Sequence, residues 1–155
     1  MLNREKNIGV VGAGTMGNGI AHVFALNNYK VFLVDVNNNI LKDALSNIKN
    51  NLSRQFKKGI IKENDIDSTL NRIEISSDIN NLNNVNLVVE AIKEDENIKG
   101  SLFKQLDSIC NTSTIFASNT SSISINKLAS FTSRSDKVIG MHFMNPVPIM
   151  KLIEI

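Results

Sequence analysis

His142 and Glu154 are the side chains whose types and placement best suit proton transfer. His142 follows the strand-like run Val138-Ile139-Gly140-Met141 and precedes Met144-Asn145-Pro146-Val147-Pro148, where prolines interrupt regular structure. Glu154 lies on the next apolar segment, Leu152 to Ile155, so the two can meet across that turn. An imidazole oriented by a carboxylate is a common base near neutral pH, suited to taking a hydroxyl proton while hydride leaves the adjoining carbon. A packing histidine beside a strand end and a salt-bridging glutamate are the alternative, and spacing alone does not choose. Ser118-Asn119-Thr120-Ser121-Ser122 follows a strand and precedes a helix, at the sheet edge where open α/β proteins collect ligands. Its hydroxyls suit a substrate oxygen, or they are ordinary helix N-caps.

Near the start, the apolar run Ile8-Gly9-Val10-Val11 breaks into Gly12-Ala13-Gly14-Thr15-Met16-Gly17 and then a helical pattern. That Gly-x-Gly-x-x-Gly reads as a cradle for a dinucleotide pyrophosphate. Gly12 serves the tight turn, Gly14 the close approach of backbone to phosphate, and Gly17 the packing of helix on strand. The free N–H groups of the helix's first turn face the anion. A second strand, Tyr29 to Val34, ends in Asp35, about 20 residues past the glycines, where a carboxylate accepts both hydroxyls of an adenosine ribose. A turn-forming or N-capping role is the plainer reading of Asp35. A carboxylate there repels a 2′-phosphate, and Val36-Asn37-Asn38-Asn39 offers no arginine to hold one, so NAD is expected rather than NADP.

The elements that must carry these residues follow from periodicity. Leu41, Leu45, Ile48, Leu52 and Phe56 recur at three- and four-residue steps, predicting a long helix with one buried stripe, ended at Gly59. A more polar helical piece runs from Lys62 towards Leu70, giving a helical pair after the second strand. Ile73-Glu74-Ile75 reads as a short strand, and Leu87-Val88-Val89-Glu90 as a buried parallel strand. A helix with Ile98, Leu102, Leu106 and Ile109 on one face follows, then the strand Thr114 to Ser118 and a brief helix around Ile125, Leu128 and Ala129. Such alternation predicts a doubly wound α/β, Rossmann-type sheet with right-handed crossovers, one domain over residues 1–155. Clustered asparagines read as turn and cap residues, and His22 as packing or surface.

Net charge of +2 with interspersed signs argues against a nucleic-acid or anionic-lipid partner. An apolar leader and a membrane-length run are both missing, so the expected location is cytoplasmic and the expected partner a small soluble molecule. The single cysteine, Cys110, forms no internal disulfide and no metal cluster, and reads as a small apolar filler.

The glycine loop, Val89-Glu90-Ala91-Ile92, Ser118 to Ser122 and the segment Gly140-Met141-His142-Phe143-Met144-Asn145-Pro146-Val147-Pro148-Ile149-Met150-Lys151-Leu152 together resemble the 3-hydroxyacyl-CoA dehydrogenase family, including 3-hydroxybutyryl-CoA dehydrogenases. The resemblance spans essentially the whole chain, and His-x-x-Asn-Pro-x-Pro is its most specific part. It implies NAD-dependent oxidation of (S)-3-hydroxyacyl-CoA to 3-ketoacyl-CoA, or the reverse. It also implies His142 as general base, Glu154 as the carboxylate orienting it, and Ser121 beside the substrate oxygen and nicotinamide. On the same resemblance Glu94, Lys99 and Asn145 line the cofactor site, and Lys58 contacts coenzyme A, though a helix-end lysine needs no such role. Family members continue into a helical domain that dimerises and closes over the acyl chain. This chain stops after Glu154 and Ile155, so it is expected to be the cofactor-binding, base-carrying domain; a non-catalytic NAD-binding module or a fragment inactive alone is the alternative.

Overall fold

Alternating β and α segments build the fold, and the computed structural model describes residues 6–155. Six parallel strands are β1 (Asn7–Val11), β2 (Lys30–Val34), β3 (Ile73–Ser76), β4 (Leu87–Glu90), β5 (Ile115–Ser118) and β6 (Val138–Gly140). They lie in the order β3-β2-β1-β4-β5-β6. The expected doubly wound sheet is therefore present, and its order reverses between β1 and β4. In such sheets a crevice opens there, beyond the carboxyl ends of the strands.

Strand residues alternate between two cores, because successive side chains leave opposite faces. Val10, Val89 and Ala117 join Ile20, Ala21, Ile48 and Leu52 of α1 (Thr15–Leu26) and α2 (Asn38–Lys57). Val11, Val88 and Phe116 join Phe103, Leu106 and Leu128 of α4 (Glu96–Ile109) and α5 (Ile125–Ala129). Phe103 meets Phe116 edge to face at 5.9 Å between centroids. The expected helical pair is α2 with α3 (Glu63–Leu70), and Gly59, at φ +70°, lets the chain leave α2.

Two helix faces differ from expectation. Ile98 does not join the buried stripe of α4: it is 45% exposed, while Lys99, Gly100, Phe103 and Leu106 turn inward. Gly100 lets α4 approach Phe131 so closely that a Cβ would stand 2.6 Å from the ring. Phe56 likewise points outward at the end of α2. The helix after Asp35 is capped by Asn37, whose side chain accepts from the amides of Asn39 and Ile40. Beyond β6, β7 (His142–Phe143) pairs antiparallel with β8 (Ile153–Glu154) as a separate two-stranded ribbon.

At the far end of α4 the buried Arg134 lies over the Phe116 ring. It donates to the carbonyls of Asp107, Cys110 and Asn111 and to the Asp107 carboxylate, satisfying acceptors that a helix end leaves open. Burial works against the Asp107 carboxylate, but the Ser133 amide and the Arg134 guanidinium outweigh it and hold its pKa below the ordinary value. Cys110 packs nearby, donating to the Leu82 carbonyl at 3.3 Å, with burial pushing its thiol up to about 11. His22 is fully buried in α1, 3.1 Å from Gln55 of α2, and desolvation lowers its pKa. No helix among the described residues is long and apolar enough to cross a membrane.

Candidate functional site

The turn from β1 into α1 is shaped by contacts that leave no room for side chains. Gly12 has φ +97°, and a Cβ on it would stand 2.5 Å from the Ala91 carbonyl oxygen. A Cβ on Gly17 would stand 1.7 Å from the Gly12 oxygen, so helix and turn touch there. Above Gly14 the opposite holds: a Cβ would meet nothing within 4 Å. Gly14 is also the N-cap of α1 and has no side chain to occupy the helix's first amides, which leaves them for an anion, beside Thr15 and Met16.

Asp35 closes the same turn from the β2 side. Its two carboxylate oxygens accept from the amides of Ala13 (2.9 Å) and Asn37 (3.0 Å). The cleft between the turn and the start of α4 has a volume of about 680 Å³, within the range of small-molecule sites. Gly12, Gly14 and Asp35 form its polar end, and Val36, Ile40, Ile79, Ile92, Ile98 and Leu102 its apolar walls. Ile98, misplaced by periodicity, faces this cleft. Bare first-turn amides, open space over Gly14 and a carboxylate beside it fit a dinucleotide's pyrophosphate and adenosine ribose.

Across β4 lies a polar cluster that hydropathy concealed. Strand register sets Glu90 beside Val11 on one side and Ser118 on the other. Glu90 is completely buried and accepts from Lys99 Nζ (2.5 Å), Ser118 Oγ (2.5 Å) and the Ile92 amide (2.8 Å). Lys99, expected to line the site, is 1% exposed, its ammonium lying beneath the surface between Glu90 and Glu94. Glu94, 3.1 Å from Lys99, reaches the surface and also accepts from the hydroxyls of Thr120 and Ser122. Burial raises its pKa, but the Thr120 bond, Lys99 and Ser122 together outweigh that and lower it below the ordinary value. Glu90 read as the end of an apolar strand; the available signal was an acid on a buried strand followed by a lysine in the next helix.

The third part is the ribbon. β7 and β8 place His142 opposite Glu154, and His142 Nδ1 lies 2.9 Å from Glu154 Oε2. A carboxylate on Nδ1 favours the proton there and leaves Nε2 as the free base. The ribbon joins the sheet edge through Asn119, whose side-chain oxygen accepts from the Phe143 amide at 2.8 Å, and through the Met141 amide, which donates to the Ser118 carbonyl. Ser121 and Asn145 are exposed on the two segments so joined. Lys58 is not brought to this edge by any described contact: it caps the far end of α2, about 30 Å along the helix from Asn37.

Fold and cleft define a doubly wound, dinucleotide-binding module. Residues 7–155 match the family described as "3-hydroxyacyl-CoA dehydrogenase, NAD binding domain". A 3-hydroxybutyryl-CoA dehydrogenase of Bradyrhizobium diazoefficiens is 44% identical over 150 residues, covering 97% of this chain and 51% of the relative. The mitochondrial hydroxyacyl-coenzyme A dehydrogenase of Homo sapiens is 42% identical over 156 residues, covering 97% and 50%. The solved (S)-3-hydroxybutyryl-CoA dehydrogenase of Ralstonia eutropha superposes with a TM-score of 0.93 at 44% identity, covering 96% of this chain and 52% of that one. The chain belongs to the 3-hydroxyacyl-CoA dehydrogenase family as its NAD-binding domain, and NAD is its cofactor. It spans about half the length of the curated relatives it matches.

Proposed function

We propose that this chain binds NAD and carries the base for interconverting (S)-3-hydroxyacyl-CoA and 3-ketoacyl-CoA. The observation that carries the reading is the 2.9 Å contact of His142 with Glu154, on a ribbon tied to the same sheet edge as the glycine turn. NAD, when bound, supplies the acceptor for the hydride leaving the substrate's third carbon. His142 Nε2 takes the hydroxyl proton, and Glu154 holds the ring in the required tautomer and stabilises the imidazolium that results. Ser121 orients the substrate oxygen, and Asn145 bounds the pocket beyond the base. Gly12, Ala13, Gly14, Thr15, Met16 and Gly17 hold the pyrophosphate, Asp35 the adenosine ribose, and Glu94 the second half of the dinucleotide with Lys99 behind it. Lys58 meets the coenzyme A moiety, which extends beyond this edge.

The unit acts as a cytoplasmic enzyme domain over residues 1–155, pairing in the full enzyme with a helical domain that dimerises and encloses the acyl chain. The test is loss of NADH absorbance with acetoacetyl-CoA, by the chain alone and complemented with the helical half of a relative. NADH oxidation that requires the CoA thioester and fails in His142→Ala supports the reading. NAD binding without turnover even when complemented would leave a nucleotide-binding module that performs no redox chemistry.

A further inference from the structure

Two buried cations serve α4, one at each end, and only one is explained by the helix. Arg134 satisfies carbonyls where α4 stops. Lys99 caps nothing comparable: apart from a 3.4 Å approach to the Ile92 carbonyl, its partners are two carboxylates, Glu90 at 2.5 Å and Glu94 at 3.1 Å. A buried ion pair is poor value as a stabiliser, since desolvation offsets most of its attraction and apolar side chains of the same shape serve as well.

The cluster's net charge supplies the missing reason. Two carboxylates against one ammonium leave one negative charge, and the carboxylate that reaches the surface is Glu94, 43% exposed. Glu94 sits on the β4–β5 side of the switch point, bonded to Thr120 and Ser122 in the loop after β5. Asp35 lies at the end of β2, and the cleft runs from it across the glycine turn to α4. A dinucleotide with its pyrophosphate at Gly14 and adenosine at Asp35 therefore runs its other half past Glu94. The oxidised nicotinamide ring carries a formal positive charge that the reduced ring lacks.

We propose that the Glu90–Lys99–Glu94 cluster biases the site between oxidation states, its single surplus negative charge raising the affinity for the oxidised dinucleotide relative to the reduced one. This rests on the nucleotide-site reading above. Glu90 is then a positioning residue: it fixes Lys99 beneath the surface, and the pair sets how much of Glu94's charge is left over. Of the other ionisable groups on the turn before α4, Lys93 lines the cleft and is common to every variant compared below, and Asp95 is engaged as that helix's N-cap.

The experiment measures the dissociation constants of NAD+ by calorimetry and NADH by its fluorescence, on the chain as it stands, and follows their ratio. Glu94→Gln, at a partly exposed position that folding tolerates, removes the surplus charge and should cut the NAD+-to-NADH affinity ratio about fivefold, the size expected of one unit charge at the rim of a cleft. Glu90→Gln leaves Lys99 to neutralise Glu94 and should cut it by the same factor. Adding Lys99→Met to Glu90→Gln returns the cluster to one negative charge and should restore the wild-type ratio. A purely structural cluster would weaken both nucleotides equally, and the second substitution would repair nothing. A ratio unchanged in Glu94→Gln overturns the inference, as does a folded double variant whose ratio stays at the Glu90→Gln value. A wild-type chain that binds neither nucleotide would instead overturn the nucleotide-site reading itself.

Discussion

The nucleotide cleft and the His142–Glu154 ribbon sit at one sheet edge but are held in different ways. The cleft grows out of the middle of the sheet: the Gly12 amide donates to the Val34 carbonyl, Ala13 to Asp35, and Ala91 to Val11, all at 2.8 to 2.9 Å. Its shape is set by backbone and close glycine contacts. The ribbon is two residue pairs beside the sheet, with Glu154 62% exposed, anchored through Asn119 and the Met141 amide. Binding geometry is thus built into the fold's centre, whereas the acid–base geometry depends on side-chain hydrogen bonds at its margin.

If these two halves are separable, His142→Ala should lower turnover about a thousandfold while the NAD dissociation constant stays within about twofold. Parallel loss of NAD binding would break the separation. Gly17→Ala attacks the other half: its methyl collides with the Gly12 carbonyl, so NADH binding should weaken about a hundredfold and the melting temperature fall. Fluorescence titration and a thermal melt check both. Glu154→Gln keeps the ribbon's shape but loses the carboxylate, and turnover should fall about tenfold to a hundredfold with cofactor affinity unchanged. Asp35→Asn should weaken NAD about tenfold with little change in the turnover of saturated enzyme, since it weakens the acceptor for the Ala13 amide and the proposed ribose contact but leaves the ribbon untouched. The smallest effect concerns stability. Burial lowers the His22 pKa below 6.5, so the unfolded chain binds more protons in acid. Stability is fully present above pH 6.5 and declines as pH falls below it. Urea unfolding from pH 8 to 5 should show that slope, and His22→Gln should flatten it.

The sheet and its helices were legible because buried parallel strands and amphipathic helices write their periods into the chain. Val88 and Val89 have no polar alternation because both faces are covered, and Leu41, Ile48 and Leu52 mark the buried side of α2. The meeting of His142 with Glu154 was legible as a possibility, since a proline-bearing turn separates two apolar segments. Less visible was anything that breaks the rule of apolar inside and polar outside. Glu90, Lys99 and Ser118 are buried polar residues whose partners lie on other elements: strand register sets Ser118 beside Glu90, and the packing of α4 on the sheet brings in Lys99. Ile98 looked like core because it is apolar, yet its surroundings are the cleft wall; hydrophobicity reports burial against protein and against a ligand alike.

Gly19 stands on α1, the helix whose first turn faces the cleft, and the loop between β7 and β8 presses on it: a methyl there would lie 2.8 Å from the Val147 Cβ and 3.5 Å from the Pro148 ring. One helix is therefore a shared wall for two tasks. Tolerance to sequence drift should be low at Gly19 although it meets no reactant, and a catalogue of damaging natural variants sorted by distance from the chemistry would file it under the wrong heading.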